Sequence, residues 1–268
     1  MRIGKWAILV LLLAACSALG GEPAAQNASD VTSGGDNHPI QWNRDPYYVV
    51  FRADVVGGDD ADAFYRKNEV PPCTIYGDNR VVWTVENSEG SAQVLWDRLS
   101  DEVIREFVSD LTVNFRFYTY KSRAGEEITT ELPVMETLTL GVNDVIHTSD
   151  SFSDWPPDYY ADILEKCQSL SQTPVLFEPE GAWIIAEPVI YEPAIPSVIW
   201  DADATGLDLN ILAENGAPEW HTDNNVRLLW NLIHDSTPDT QFTQGVDTFL
   251  VAVQVPGVTR DAPPPPAQ

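Results

Sequence analysis

Thr74-Ile75-Tyr76-Gly77-Asp78-Asn79-Arg80-Val81-Val82-Trp83-Thr84-Val85 decides how this chain is read. Two short runs of β-branched and aromatic residues flank three residues that tolerate positive φ, the pattern of a tight antiparallel hairpin. Upstream, Tyr47 to Val55 (YYVVFRADV) reads as a further strand. Downstream, Ser100 is placed to cap a helix whose first turn holds Asp101 and Glu102, where the helix dipole favours acids. Val103, Phe107 and Leu111, widened by Ile104 and Val108, form its apolar stripe.

The same alternation continues along the chain. Phe115 and Phe117 alternate with Asn114, Arg116 and Tyr118, which predicts a strand, and Val134–Leu140 and Val145–Thr148 predict a second hairpin around Gly141-Val142-Asn143-Asp144. A second helix is expected to start near Pro157, an allowed first-turn position for proline, with Tyr160, Ile163, Leu164, Cys167 and Leu170 on one face. Ala182–Tyr191 reads as a strand that Pro188 marks as an edge or a bulge. Asn224–His234 reads as a helix with Val226, Leu229, Trp230 and Ile233 on its apolar face, and Thr248–Val255 as the last strand. The expected class is α+β and β-rich, with antiparallel sheets and about three helices packed on one face.

The whole sequence has 268 residues, 44 % hydrophobic and 10 % aromatic, with 15 Lys+Arg against 41 Asp+Glu and a formal net charge of -26. Such a composition suits a packed globule. The charge argues against nucleic acid, because a phosphate backbone is bound by basic side chains that release counterions. It argues equally against a polybasic contact with lipid.

At the amino end, Arg2 and Lys5 precede the apolar run Trp6–Ala15, which is shorter than the roughly 20 residues a bilayer span needs and has the length of a signal-peptide core. It ends in Leu13-Ala14-Ala15-Cys16, which resembles the lipobox of bacterial lipoproteins. That resemblance implies residues 1–15 as a cleaved signal peptide, diacylglycerol on the Cys16 sulfur, and attachment to a membrane of the bacterial cell envelope on the outer side of the cytoplasmic membrane or at the outer membrane. Residues 16–40, rich in Gly, Ala, Ser, Asn and Asp, read as a flexible tether with a reach of about 25–30 Å. Residues 41–172 read as one α+β domain and 173–258 as a second α+β half or subdomain. Residues 259–268, with Pro263 to Pro266, read as a disordered proline-rich tail.

Within residues 70–170, Ile75-Tyr76-Gly77-Asp78-Asn79-Arg80-Val81-Val82-Trp83, then Leu99 to Leu111, then Phe115-Arg116-Phe117-Tyr118 resemble a domain of unknown function found in secreted and lipid-anchored bacterial proteins. Asn79 stands where that pattern has glycine, and asparagine is a common substitute at a left-handed position. The resemblance implies an α+β fold and brings no catalytic residues with it.

Cysteine usage fits export. Besides Cys16 there are Cys73 and Cys167, and an isolated pair in an oxidising compartment most often forms a disulfide. The search for chemistry is otherwise negative: there is no Gly-x-Ser-x-Gly elbow, phosphate-binding Gly-rich loop or His-Glu-x-x-His. His38, His147, His221 and His234 are scattered without ligand spacing, so no cofactor or zinc is expected. Asp201, Asp203 and Asp208 around Gly206 resemble the front of a Ca²⁺ loop, but Leu212 stands where its bidentate Glu belongs, and a solvated acidic turn is the better reading. The same holds for Gly57-Gly58-Asp59-Asp60-Ala61-Asp62. Among nine tryptophans, Trp83, Trp183 and Trp230 sit in core patterns, whereas Trp42, Trp96, Trp155, Trp200 and Trp220 sit at element edges. These features imply a non-catalytic interaction or structural module, with an envelope protein or glycan as partner. The alternatives are a carbohydrate- or small-ligand-binding protein using the edge tryptophans, and a hydrolase using two of the many carboxylates.

Overall fold

The Gly77-Asp78-Asn79 turn joins β2 (Cys73–Tyr76) to β3 (Arg80–Glu86), and Asn79 holds the left-handed φ of 71° that the turn requires. The computed structural model describes residues 39–86, 91–122 and 133–267. The Cys16 lipobox and the tether to His38 lie outside the described residues. Residues 39–267 fall in one compact unit. Its first sheet has the order β6-β5-β1-β2-β3-β4-β7, built from β1 (Val49–Val56), β4 (Ala92–Arg98), β5 (Met135–Val142), β6 (Val145–Asp150) and β7 (Val175–Leu176) about that hairpin. Every pairing in it is antiparallel. The second hairpin closes through Asn143 and Asp144 alone, both at positive φ (52° and 60°), the geometry whose twist matches that of the flanking strands.

Alternation along the central strands sends side chains to two different cores. Phe51, Ile75, Val81, Trp83, Leu138 and Leu140 face α1 (Asp101–Val113) and α2 (Tyr159–Gln168), which contribute Ile104, Phe107, Leu111, Ile163 and Cys167. Phe107 meets Phe51 edge to face at 4.9 Å. On the opposite face Tyr76, Val82 and Val94 enter a second core. The second sheet closes that core, with the order β10-β8-β12-β11-β9. Its strands are β8 (Ala182–Pro188), β9 (Ser197–Ile199), β10 (Glu219–His221), β11 (Gln241–Gln244) and β12 (Asp247–Gln254). They are antiparallel except for the parallel pair β9 and β11. Between β9 and β10 lie α3 (Ala202–Thr205) and α4 (Leu209–Asn215), and α5 (Asn224–His234) follows, its Val226, Leu229, Trp230 and Ile233 turned inward as the spacing predicts.

The class is therefore α+β, but the helices divide between two cores rather than gathering on one face. The reason lies in β2 and β3, which are apolar on both sides and need cover on both. Two side chains bind the halves together. Asn68 acts as a surrogate strand residue, donating from Nδ2 to the Val251 carbonyl (3.0 Å) and accepting from the Val253 amide (2.7 Å). Arg260 forks onto the buried Asp54 of β1 and also pairs with Glu69. Thr259 is buried as well, so the start of the expected disordered tail belongs to the body.

One local expectation is corrected. Phe115–Tyr118 is not a strand: Arg116 takes a left-handed φ of 51° and Phe117–Thr119 forms one 3₁₀ turn. Phe117 is fully buried and Phe115 packs beside the same core, so the turn satisfies both rings without any strand for the backbone to pair with. The second helix, expected near Pro157, starts at Tyr159, just after Asp158 at φ 61°. At Pro188 the expectation of an edge holds locally: β10 flanks β8 only at Ala182–Ile184, so the proline lies where β12 alone pairs with it.

Candidate functional site

The back face of β3 and β4 carries Arg80 and Val82 on one strand and Trp96 and Arg98 on the other, with Arg80 opposite Arg98 and Val82 opposite Trp96. Val82 is covered by the second core, Trp96 packs half-buried at its edge, and Arg98 runs past it. There they line one wall of a cleft of about 450 Å³. Tyr47, just before β1, Phe177, Glu178 and Glu180, between β7 and β8, and Trp220, on β10, complete the wall. A volume of this size is ordinary for a small-molecule site.

Two like charges directly opposite on neighbouring strands repel. Here Asp78 from the hairpin turn answers both, with its Oδ2 2.8 Å from Arg80 Nε and 3.7 Å from Arg98 Nη2. Arg80 also donates to the Pro46 carbonyl (2.8 Å) and lies over the Tyr76 ring, so its guanidinium is held in place. Arg98 is exposed and less constrained. On the other side Glu178 lies 3.9 Å from Arg227, with both side chains open to water. The cleft thus combines basic, acidic and aromatic side chains.

Two glycines let the rings approach the backbone. A Cβ on Gly181 would stand 2.6 Å from the Trp220 ring, and one on Gly257 would stand 2.8 Å from Tyr47. Gly257 also needs its positive φ of 69°, so no other residue fits there without strain. Phe177 is fixed by an edge contact with Trp230 (5.5 Å) and by its amide, which donates to the Val94 carbonyl.

Of the five edge tryptophans, Trp96 and Trp220 meet in this cleft and three do not. Trp42 is buried under the guanidinium groups of Arg44 and Arg105 and donates to the Gly77 carbonyl. Trp155 donates to Ser149 and packs on Tyr159, and Trp200 is buried with its indole N–H on the Leu207 carbonyl. Among those expected in the core, Trp83 and Trp230 are buried. Trp183 is only half-buried; it pairs across β8 and β10 with Trp220, the rings 5.3 Å apart.

Cys73 and Cys167 are joined by a disulfide, both fully buried in the first core, with their Cα atoms 6.4 Å apart. Gly77 is the crossing point of the amino-terminal segment: its amide donates to the Tyr48 carbonyl, and a Cβ there would fall 2.2 Å from the Asn43 carbonyl oxygen. Asp201 and Asp208 cap α3 and α4 by accepting from backbone amides, Asp203 lies in the first turn of α3, and Gly206 ends α3 in the left-handed region. The oxygens that resemble a Ca²⁺ loop are therefore helix caps, and among the described residues no group of three His, Cys, Asp or Glu converges on a cation site. In the Gly57–Asp62 loop, Asp60 accepts from Tyr65 and Arg66, and these bonds hold its carboxyl below the usual range. His234 lies against Trp230, and burial pushes its imidazole down to about 4.

Sequence reasoning reached Trp96 and Trp220 as edge residues but not the rest of the cleft. In the sequence Arg80 and Tyr47 carry only a strand signal, and Glu178 and Glu180 carry none. Comparison with protein-family models, with curated proteins and with solved structures gave no match.

Proposed function

We propose that this chain is a lipid-anchored protein of the bacterial cell envelope, held by acyl groups on Cys16, and that its body is a non-catalytic module that binds a saccharide in the aromatic cleft. The observation that carries the reading is the convergence of Trp96, Trp220, Phe177 and Tyr47 with Arg80, Arg98, Glu178 and Glu180 on one 450 Å³ space. A pyranose has an apolar C–H face and a rim of hydroxyls. Partly exposed rings meet the first, and charged donors and acceptors meet the second. Binding fits better than hydrolysis because both cleft carboxylates come from the single stretch Glu178-Pro179-Glu180. Glycosidic cleavage needs two carboxyl groups that flank the scissile bond. The resemblance of residues 70–170 to a domain of secreted and lipid-anchored proteins agrees with this setting.

Titrating the protein with neutral and acidic oligosaccharides of two to six units while following indole fluorescence tests the reading. At least one class should give saturable quenching, and Trp96→Ala, which also loses packing on the second core, should weaken it at least tenfold, about 1.4 kcal/mol, at a temperature where the variant is still folded. No saturation with any sugar, or equal affinity in Trp96→Ala, overturns the saccharide assignment. For the anchor, Cys16→Ser should move the expressed protein out of the detergent phase of an envelope extract. Unchanged partitioning of that variant refutes lipidation at Cys16.

A further inference from the structure

The carboxyl-terminal prolines lie on the same edge of the second sheet that presents Trp183 and Trp220. Trp183 Nε1–H donates to the Pro264 carbonyl (3.1 Å), and Pro265 forms part of the cleft wall next to Trp220. In the run Ala262-Pro263-Pro264-Pro265-Pro266, each of the first four residues precedes a proline. Proline fixes its own φ and drives the residue before it to extended backbone, so this run is polyproline II by its covalent structure. Its carbonyls accept hydrogen bonds, while its prolines have no N–H to offer one another.

Trp183 and Trp220 supply what such a segment lacks. Trp183 and Trp220 are direct partners in the ladder of β8 and β10, and their rings meet at 65° to form a ridge. One indole N–H points outward as a donor, and Gly181 beneath Trp220 leaves the ridge room to lie flat on the sheet edge. Paired aromatic rings with an indole donor are the means by which proteins read proline-rich segments, because the ligand is already ordered before it binds. Pro263, Pro264 and Pro266 remain exposed while docked and Pro265 is half-buried, so the contact is shallow and reversible.

We propose that the Trp183–Trp220 pair is a recognition site for polyproline-II segments, filled in cis by Pro263–Pro266 and open in trans to a proline-rich segment of another chain. The site adjoins the cleft and shares Trp220 with it, but its donor, Trp183, lies outside the cleft lining. Arg260, pinned to Asp54 and Glu69, starts the tail four residues before Pro264. So short a tether gives the tail an effective concentration on the order of millimolar or higher. A free peptide with weak intrinsic affinity is therefore competed out in the intact chain, and it gains access when the tail is altered.

The test uses the full chain with Pro263→Gly, Pro264→Gly, Pro265→Gly and Pro266→Gly combined, and blocked hexaproline as the probe. Indole fluorescence and the Nε1–H resonance of Trp183 are the readouts. The glycine-tailed chain should bind hexaproline at least tenfold more tightly than the parent, and binding should return the Trp183 Nε1–H to its parental shift. Adding Trp183→Phe, which keeps a ring and removes the donor, should weaken that binding at least tenfold, while Trp96→Ala, which disables the proposed saccharide wall, should leave it unchanged. Absence of hexaproline binding to the glycine-tailed chain, equal affinity in the parent, or insensitivity to Trp183→Phe each overturns the proposal. If the Trp183→Phe chain fails to fold, the first two comparisons decide it. Loss of binding in Trp96→Ala would place the peptide against the Trp96 wall of the cleft and refute its seat on the Trp183–Trp220 pair.

Discussion

Replacing Asn79 separates two properties that the hairpin turn combines. Asn79 holds φ at 71°, and its side chain bonds three partners: Nδ2 donates to the Leu99 carbonyl (3.2 Å) and to Asp101 Oδ1 (2.8 Å), while Oδ1 accepts from Arg44 Nη1 (2.8 Å). The turn is thereby tied to the first turn of α1 and to the segment before β1. Asn79→Gly keeps the backbone region open. Its relief of left-handed strain, roughly 0.5–1 kcal/mol, is offset by a similar gain in unfolded-chain entropy. What remains is the loss of three hydrogen bonds at roughly 0.5–1.5 kcal/mol each. Arg44 and Asp101 are 52 % and 30 % exposed, which reduces this to about 1–2 kcal/mol in total. Asn79→Val loses the same bonds and adds left-handed strain of about 1–3 kcal/mol, severe for a β-branched side chain. At about 2–4 °C per kcal/mol, the glycine variant should melt about 2–8 °C below the parent, with the valine variant about 2–12 °C lower again. Differential scanning calorimetry at pH 7 reads both. A glycine variant as stable as the parent would show that the side-chain bonds contribute nothing, and equal melting of the two variants would refute the need for positive φ. Arg44 first, then Asn79, holds the Asp101 carboxyl well below its ordinary range. That contribution is present above the unfolded pKa and disappears as pH falls through the folded one, so the parent's advantage over Asn79→Gly should shrink in acid.

Removing the disulfide with Cys73→Ala and Cys167→Ala reopens a loop spanning 94 positions in sequence, which costs about 3–5 kcal/mol in the chain-entropy account. The melting temperature should fall on the order of 10 °C with the fold retained, and a shift under about 2 °C refutes any role of the bridge in pinning α2 to β2. His234 stays neutral in the folded chain until about pH 4 because burial disfavours its charge, while in the unfolded chain it protonates near 6.5. The unfolded state therefore binds more protons between these values, and stability falls as pH drops through that window, by about 2 kcal/mol from pH 7 to 4.5. Urea unfolding of the parent and His234→Gln at both pH values checks this; equal losses in the two proteins refute it.

Where glycine, asparagine and aspartate punctuate the chain, its fold is legible from sequence, because those residues settle the backbone locally. The two hairpins and the capped start of α1 follow from Asn79, Asn143, Asp144 and Ser100. The apolar faces of α1, α2 and α5 follow from spacing. What fails is inference from side-chain alternation where partners are non-local. Phe115 and Phe117 alternate like a strand yet sit in a turn, since two rings can enter one core without a ladder. Strand β4 shows no alternation, since Val94 and Trp96 pack on the second core and Leu95 on the first. Burial on both faces erases the period on which the reading depends. The Cys73–Cys167 pair follows from the cysteine count, whereas the packing of α2 across β2 that brings the sulfurs together is a property of the tertiary structure.

The cleft was hidden for the same reason. Its residues run from Tyr47 to Pro265, so no window of sequence contains it. The register of β3 against β4 nevertheless brings Arg80, Trp96 and Arg98 to it together. Once Arg80 is opposite Arg98 and Val82 opposite Trp96, all four side chains share one face. The second core covers that face fully at Tyr76, Val82 and Val94, only in part at Trp96, and leaves Arg98 exposed. A strand that is apolar on both faces along part of its length, and carries tryptophan and arginine where the covering layer ends, presents that end to solvent. Asp78 makes the arrangement tolerable by neutralising part of the Arg80–Arg98 repulsion from within the hairpin turn. The residue that shapes the fold's first turn thus also sets the charge of the basic wall. Any ligand that draws on Arg98 must compete with, or bridge to, the Asp78 carboxylate 3.7 Å away.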